Sequence, residues 1–289
     1  MPELPEVEVV KRSLINKTQN SIIKSIKIND GRLRYKLDKN QIKRIIGLKI
    51  QKISRRSKFL LFFFSKDIIM LVHLGMTGKF FFIDQKKTKY KTSFYYDIDE
   101  DKDKKHDRVV FSLSGNKKLI YNDIRKFGFI KFLNRVNFDH NLHLRNLGPE
   151  PLNTKFNFDY FKRYIFGRNR VVKNILMDQK FVSGLGNIYV NEILFLSGVR
   201  PSKKIQNLLD SEIKKIIKYS KEILSQAIAL GGSSIKDFSS SNGKKGLFQQ
   251  HFSVYGKKGE KCSNKNCHNN IIKILIANRA SFYCAKCQK

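Results

Sequence analysis

The sequence has few acidic residues, no long apolar run and no cysteine before residue 262. The chain contains only 24 Asp and Glu residues compared with 58 Lys and Arg residues, so the formal net charge is +34. This excess favours a polyanionic partner, above all nucleic acid, although solvated surface lysines are an alternative explanation that charge alone leaves open. The longest apolar run, 59–64, is far shorter than the roughly 20 residues of a membrane helix, so we expect no membrane span.

The N-terminus and the composition narrow the class of protein further. The opening residues lack the basic start and apolar stretch of a secretory signal, so we expect a cytoplasmic protein. A hydrophobic content of 41%, with 23 Phe and 11 Tyr, is sufficient for a packed core and argues against wholesale disorder. The length of 289 residues predicts about two domains, and nothing in the sequence indicates an oligomer, so we expect a monomer.

The pattern changes from strand-like to helical near Leu147-Gly-Pro-Glu-Pro151, which we interpret as a linker. The earlier part predicts a β-sandwich or barrel, with helices over 5–15 and near 39–46 and an exposed loop over 84–107. Its predicted strands are 21–28, 49–53, 59–64, 68–74, 79–83, 108–113, 118–121 and 129–133. The later part predicts helices over 157–166, 170–179, 187–197 and 211–230, a Ser/Gly/Lys loop over 238–246, and short strands from 247.

All four cysteines fall in the C-terminal tail, as Cys262, Cys267, Cys284 and Cys287. Two close pairs joined by a short hairpin suit one tetrahedral Zn²⁺ held by four thiolates, which leaves no open coordination position and therefore predicts a structural site. Two disulfides or free buried thiols are the alternatives, and a cytoplasmic chain disfavours disulfides. His268 adjoins Cys267, but four thiolates already complete the set.

Two further segments could carry chemistry. Gly184 and Gly186 precede a helical pattern, so the turn could present backbone N–H groups to a phosphate with Asn187 as cap, or could simply be a helix corner that needs glycine. Removal of Met1 would give Pro2 a free secondary amine beside Glu3, suited to attack on an electrophilic carbon. The alternative is an ordinary helix start in which acidic residues favour the helix dipole.

Nine short motifs occur in order along the chain. They are MPELPEVE at the start, RRSKFL at 55–60, HLGMTG at 73–78, DIRKFG at 123–128, LGPEPL at 147–152, LMDQK at 176–180, GLGNIY at 184–189, GG at 231–232 and RASFYC at 279–284. In this order they closely resemble formamidopyrimidine-DNA glycosylase, the bacterial repair enzyme for oxidised purines. The resemblance runs from residue 2 to the C-terminus and is weakest over 84–104 and 135–145.

The resemblance implies the roles of four catalytic residues. The mature N-terminal proline, here Pro2, attacks the sugar C1′ of a flipped nucleotide, and Glu3 matches the carboxylate that handles protons. The Schiff base then permits β- and δ-elimination, for which Lys58 and Arg279 match the proton donors. Phosphate binding is the simpler reading of those two cations, and it is compatible with catalysis.

The resemblance also implies a set of DNA contacts. In the family a Met, an Arg and a Phe fill the hole left by the flipped base. The matching positions here are Met76, Arg125 and Phe127, and the other expected DNA contacts are His106, Asn169 and Asn187. The loop over 238–246 matches the loop that closes over the extruded lesion.

Three positions depart from the family pattern. Cys262 and Cys267 are separated by four residues where two are usual, which puts the geometry of the hairpin in question. Asn169 replaces a common DNA-contacting lysine, with Arg168 and Arg170 beside it. Ile124 replaces a proline or small residue before Arg125, which could shift that turn.

Together these observations predict an α+β multidomain protein. The expected parts are a β-sandwich catalytic domain with flanking helices (1–134), a linker (135–152), a helix-two-turn-helix domain with the lesion loop (153–246) and a β-hairpin zinc finger (247–289). The expected function is a bifunctional DNA glycosylase and AP lyase that removes 8-oxoguanine and formamidopyrimidines from double-stranded DNA. The alternatives are the sister class that acts on oxidised pyrimidines and a noncatalytic zinc-containing DNA-binding protein.

Overall fold

The computed structural model describes residues 1–91, 104–233 and 248–289. The chain divides into two compact units, which are described separately below. The first comprises Met1–Arg145 and Leu230–Leu247, and the second comprises Asn146–Ala229 and Phe248–Lys289. The expected lesion loop over 238–246 lies outside the described residues, as does 92–103 of the expected exposed loop.

The first unit contains two antiparallel sheets, as the sequence predicts. Its elements are α1 (Leu4–Thr18), β1 (Ile23–Ile28), α2 (Lys39–Lys43), β2 (Ile50–Arg56), β3 (Phe59–Phe64), β4 (Ile68–His73), β5 (Lys79–Ile83), β6 (Lys89–Lys91), β7 (Asp107–Leu113), β8 (Lys117–Asn122) and β9 (Phe129–Asn134). One sheet has the order β1-β7-β8-β5-β6 and the other β2-β3-β4-β9. A single apolar core joins both sheets and α1, so the two sheets share one interior.

Helix α1 follows from its sequence. Val7, Val10 and Leu14 recur on one face and are buried in the core of the first unit. Pro5 stands in the first turn, and Glu3 and Glu6 form a capping box, which satisfies backbone N–H groups that have no partner within the helix. The N-terminus of the chain is thereby held at the end of a packed helix.

The second unit contains four helices and a hairpin: α3 (Phe158–Ile165), α4 (Val172–Leu176), α5 (Asn187–Ser197), α6 (Asp210–Ala229), β10 (Ile271–Ile276) and β11 (Arg279–Cys284). Phe195 of α5 packs in one apolar cluster with Ile271 and Phe282 of the hairpin. Within the described residues, no helix combines the length and apolar character that a membrane crossing requires.

Three local expectations were wrong. Helix α4 is shorter than 170–179. Arg170 O accepts from Ile205 N, and Val172 N donates to Lys203 O, so the chain pairs with the 203–205 segment here and the helix begins only at Val172. Asn187 is the first residue of α5, and its expected role as cap belongs to Gly186. The expected loop over 84–107 contains the short strand β6, which pairs with β5.

The segment 147–151 is part of the second unit and is held there by backbone hydrogen bonds. Gly148 N donates to Gln179 O at 2.8 Å, and Ser183 N donates to Pro149 O at 3.0 Å. A Cβ on Gly148 would lie 2.3 Å from Phe181 O, so only glycine permits this approach. A close backbone contact therefore requires Gly148, and Pro149 accepts a hydrogen bond beside it.

Candidate active site

The N-terminal residues are enclosed in the first unit. Pro2 and Glu3 are buried, while Met1 remains partly exposed. The carboxylate of Glu6 accepts from Glu3 N at 2.8 Å and, through its other oxygen, from Ser233 N and Ser233 Oγ, both at 2.9 Å. Glu6 therefore ties the start of the chain to the Gly231-Gly232-Ser233 segment.

Charged side chains surround the N-terminal amine. Burial lowers the pKa of the Met1 amino group below its usual 8.0, and the positive charges of Lys58 and Arg125 act in the same direction. The carboxylates of Glu3 and Glu6 oppose this shift in the pKa. Three residues that the resemblance selects, Glu3, Lys58 and Arg125, thus act electrostatically on one amine.

Lys58 lies in the tight turn between β2 and β3 and is 7% exposed. The preceding Ser57 has φ +54°, and Arg55 supports this turn by donating to Ser57 O at 2.8 Å. Arg55 also donates to Glu8 at 2.9 Å, with both side chains largely buried. Glu8 therefore pairs with one of the two arginines that precede Lys58.

His73, at the end of β4, was assigned no role from the sequence. Burial, helped by the charges of Lys58 and Arg34, lowers its pKa from 6.5 to about 4. Its neutral ring stacks on Phe129 with centroids 5.5 Å apart, and its Nδ1 accepts from Gly75 N at 3.1 Å. The only sequence signal was its place at the head of the motif that contains Met76.

Met76, Arg125 and Phe127 lie on two turns that we call the wedge turns, 74–78 and 123–128. Both apolar side chains are accessible, with Met76 39% exposed and Phe127 45% exposed. The Arg125 guanidinium lies 4.6 Å from the centre of the Phe127 ring. Lys126, between Arg125 and Phe127, has φ +59°. The backbone therefore turns sharply here, and the two flanking side chains project from this turn.

His106 borders one wedge turn through Arg108. The Arg108 guanidinium lies 3.2 Å from His106 Nδ1 and donates to Asp123 O at 2.8 Å. It also pairs with Asp30, which in turn holds Lys126 at 2.8 Å. These contacts place His106 beside the turn that carries Arg125.

In the second unit, Asn169 is exposed in the connection between α3 and α4. Arg168 donates to Tyr164 O at 2.6 Å and stacks on the Tyr164 ring, and Arg170 donates to Asp178 at 2.9 Å. Both neighbours of Asn169 therefore already have partners within the second unit.

Arg279 is exposed at the start of β11, directly after a two-residue turn. Ala277 and Asn278 have φ +48° and +58°, the geometry of a type I′ hairpin turn. The next residue is fixed to the helices, because Ala280 O accepts from Lys173 Nζ at 2.8 Å and from Asn187 Nδ2 at 3.0 Å. The Asn187 side chain therefore helps to hold the hairpin that carries Arg279.

The four cysteines form a cluster that could hold a metal ion. Their sulfur atoms all lie within 4.8 Å of one another, with Cys262–Cys287 at 3.8 Å and Cys267–Cys284 at 3.5 Å. A tetrahedral ion with metal–sulfur bonds of about 2.3 Å needs sulfur atoms roughly 3.8 Å apart. The backbone N–H of Asn269 lowers the pKa of the Cys267 thiol to about 7, whereas burial raises the pKa of the Cys262 thiol to about 12. The longer first spacing therefore still brings four sulfurs together.

Two family models match the chain in succession. Residues 1–130 match the formamidopyrimidine-DNA glycosylase N-terminal domain, and residues 147–239 match the formamidopyrimidine-DNA glycosylase H2TH domain. Formamidopyrimidine-DNA glycosylases of Rickettsia felis and Ruegeria pomeroyi are 39% and 37% identical to the chain; the matches cover all of this chain and 98% and 100% of theirs.

Solved structures are similar over the same length. A Lactococcus lactis Fpg in complex with DNA that contains an abasic site is 34% identical with a TM-score of 0.85, and 99% of each chain is covered. A point mutant of the same protein in complex with Fapy-dG-containing DNA is 35% identical, with a TM-score of 0.85 and full coverage of both chains. The chain therefore belongs to the formamidopyrimidine-DNA glycosylase family, whose members are DNA glycosylases of base excision repair.

Proposed function

We propose that this protein removes oxidised purines, 8-oxoguanine and formamidopyrimidines, from double-stranded DNA and then cleaves the strand as an AP lyase. The observation that carries the proposal is the N-terminus itself. Pro2 and Glu3 are buried at the start of a packed helix, and the positive charges of Lys58 and Arg125 act on the amine of Met1, the residue before Pro2. Once Met1 is removed, positive charges at this site would favour a neutral Pro2 nitrogen, and a neutral amine is the nucleophile.

The proposed chemistry begins after removal of Met1. The nitrogen of Pro2 bonds to the sugar C1′ as the bond from C1′ to the base breaks, and the departing base takes up a proton. The C1′–O4′ bond then breaks to give an iminium at C1′, and Glu3 handles the protons that the Pro2 nitrogen loses and O4′ gains. The iminium makes the C2′ proton acidic, its loss breaks the C3′–O bond, and a second elimination breaks the C5′–O bond. We assign proton donation in these two eliminations to Lys58 and Arg279, respectively.

The DNA substrate is supported by charge and by the wedge turns. A net charge of +34 suits binding to a phosphate backbone. The exposed Met76 and Phe127, with Arg125 stacked on the Phe127 ring, suit the filling of a hole in the base stack. His106, Asn169 and Asn187 complete the proposed DNA contacts, and the bacterial relatives suggest work in the cytoplasm on the nucleoid.

We propose that the four cysteines bind one structural Zn²⁺. The set of four sulfurs suits zinc, and its closure leaves no position for a reactive water. When bound, the ion would hold the base of the hairpin that carries Arg279. Lys173 and Asn187 fix the other face of the same hairpin through Ala280 O.

Borohydride trapping tests the proposed function. Protein with Met1 removed, verified by mass, is incubated with an 8-oxoguanine duplex and reduced, which should give a covalent protein–DNA adduct attached at Pro2. The matched control is the same chain with Met1 retained, because its Pro2 nitrogen is part of an amide bond and should give no adduct at Pro2. A thymine-glycol duplex serves as the second substrate and should be cleaved more slowly.

Three results would contradict the proposal. The first is that no adduct forms with processed protein, and the second is that the blocked chain forms one equally well. The third is a preference for thymine glycol, which would favour the oxidised-pyrimidine class. A protein that binds DNA with steep salt dependence but leaves abasic sites uncut would be the noncatalytic alternative.

A further inference from the structure

The two wedge turns touch each other through their backbones. A Cβ on Gly75 would lie 2.4 Å from both Phe127 C and Gly128 N, and Gly75 has φ +64°. A Cβ on Gly128 would lie 2.7 Å from His73 O, next to the first turn, and 1.9 Å from the Tyr121 hydroxyl of β8. Real Cβ atoms do not approach other atoms so closely, so glycine alone allows the two turns to lie in direct contact.

One hydroxyl group connects the two turns. Thr77, next to Met76, donates through Oγ1 to Asp123 Oδ1 at 2.5 Å. The same Oγ1 accepts from Arg125 N at 2.9 Å. Thr77 and Asp123 are 46 residues apart in the chain, so this contact exists only in the folded first unit.

Asp123 holds the second turn at both of its ends. Its Oδ2 accepts from Gly128 N at 2.8 Å, and its backbone N–H donates to His106 O at 3.1 Å. The side chain of Asp123 is fully buried. A buried carboxylate that accepts two hydrogen bonds is firmly oriented, and a charged acceptor strengthens each bond.

The base of the wedge turns is therefore fixed while their tips are exposed. Met76 and Phe127 project from backbone that Thr77 and Asp123 hold in register, and both side chains stay accessible. A group that is held in its bound geometry before binding loses less conformational entropy when it binds. Filling a gap in a base stack requires several side chains to enter together, so their relative placement matters most for duplex DNA.

We propose that Thr77 and Asp123 are positioning residues that set the two wedge turns for insertion into duplex DNA. This inference rests on the proposed function, because it assigns a task to the side chains that would fill the gap. It concerns the opening of the duplex and assigns Thr77 and Asp123 no part in the bond-breaking steps at Pro2. Loss of the Thr77 hydroxyl therefore affects substrates that must be opened and spares those that are already open.

The test compares Thr77→Val, which removes the hydroxyl at nearly constant shape, with Thr77→Ser, which keeps it. Two DNA substrates are used: a duplex with 8-oxoguanine beside 2-aminopurine, and a single strand with a preformed abasic site. Thr77→Val should lower kcat/KM on the duplex about tenfold, the effect of roughly one hydrogen bond. It should also reduce the 2-aminopurine fluorescence change, while cleavage of the single strand stays within about twofold.

Controls separate positioning from general stability. Thr18→Val removes another buried threonine hydroxyl of the first unit, which donates to Leu14 O at 2.8 Å, and should leave both substrates unaffected. Thr77→Ser should match the unaltered protein on both substrates. The inference would be overturned if Thr77→Val left kcat/KM on the duplex unchanged, or if it lowered cleavage of both substrates equally. It would also be overturned if Thr77→Ser lowered cleavage of the duplex as much as Thr77→Val. If the unaltered protein cleaves neither substrate, the proposed function fails and this inference fails with it.

Discussion

Protonation of His73 is expected to destabilise the first unit and loosen a wedge turn. Burial lowers the pKa of its imidazole from the usual 6.5 to about 4, so the ring is neutral at neutral pH. The Nδ1 atom accepts from Gly75 N, so the proton of the neutral ring lies on Nε2. A second proton would occupy Nδ1 and remove the acceptor for Gly75, the residue just before Met76.

The sign and size of this effect follow from the pKa shift. The unfolded chain binds the proton more tightly than the folded chain, so the contribution of His73 to stability is complete above about pH 6.5 and is lost as the pH falls towards 4. A shift of about 2.5 units at 1.36 kcal/mol per unit gives a limit of about 3 kcal/mol. Between about pH 7.5 and about pH 5 the loss amounts to about 2 kcal/mol.

Urea unfolding across this pH range measures the effect. The unaltered protein should lose about 2 kcal/mol more than His73→Gln, which has no titrating group at this position. His143→Gln is the matched control, because His143 is more exposed and its pKa is lowered by the same kind of burial to a lesser degree. Parallel pH dependence of the unaltered protein and His73→Gln would refute the reasoning, as would an NMR titration of His73 near its usual pKa.

Two further predictions concern the second unit. Chelation of the proposed zinc, or Cys284→Ala, should lower the melting temperature and weaken DNA binding, whereas His268→Ala should do neither. Unchanged melting and affinity would argue against a metal-supported hairpin. Glu192 is buried and accepts from three consecutive backbone N–H groups, at 253–255. Glu192→Gln places an amide donor against one of them and should cost about 1–3 kcal/mol in urea unfolding, and an unchanged midpoint would count against this role.

Local patterns in the sequence predicted the elements and several site residues. The 3.6-residue spacing of Val7, Val10 and Leu14 predicted α1, because that spacing lines one helix face. The spacing of the cysteines predicted a cluster, and their sulfurs do converge. Short strands and the position of Asn187 were predicted less well, because strand pairing and capping depend on neighbours distant in sequence.

The sequence by itself determined the spacing of apolar residues in each segment, the excess of positive charge, the spacing of the cysteines and the order of the motifs. These features depend on residue type and spacing alone. The tertiary structure decided which groups meet: Arg55 with Glu8, Thr77 with Asp123, and Asn187 with Ala280 O. It also decided that His73 is neutral, because a pKa depends on burial and on nearby charges. Contacts between residues tens of positions apart leave no periodic signal in a single chain, so only folding assigns them.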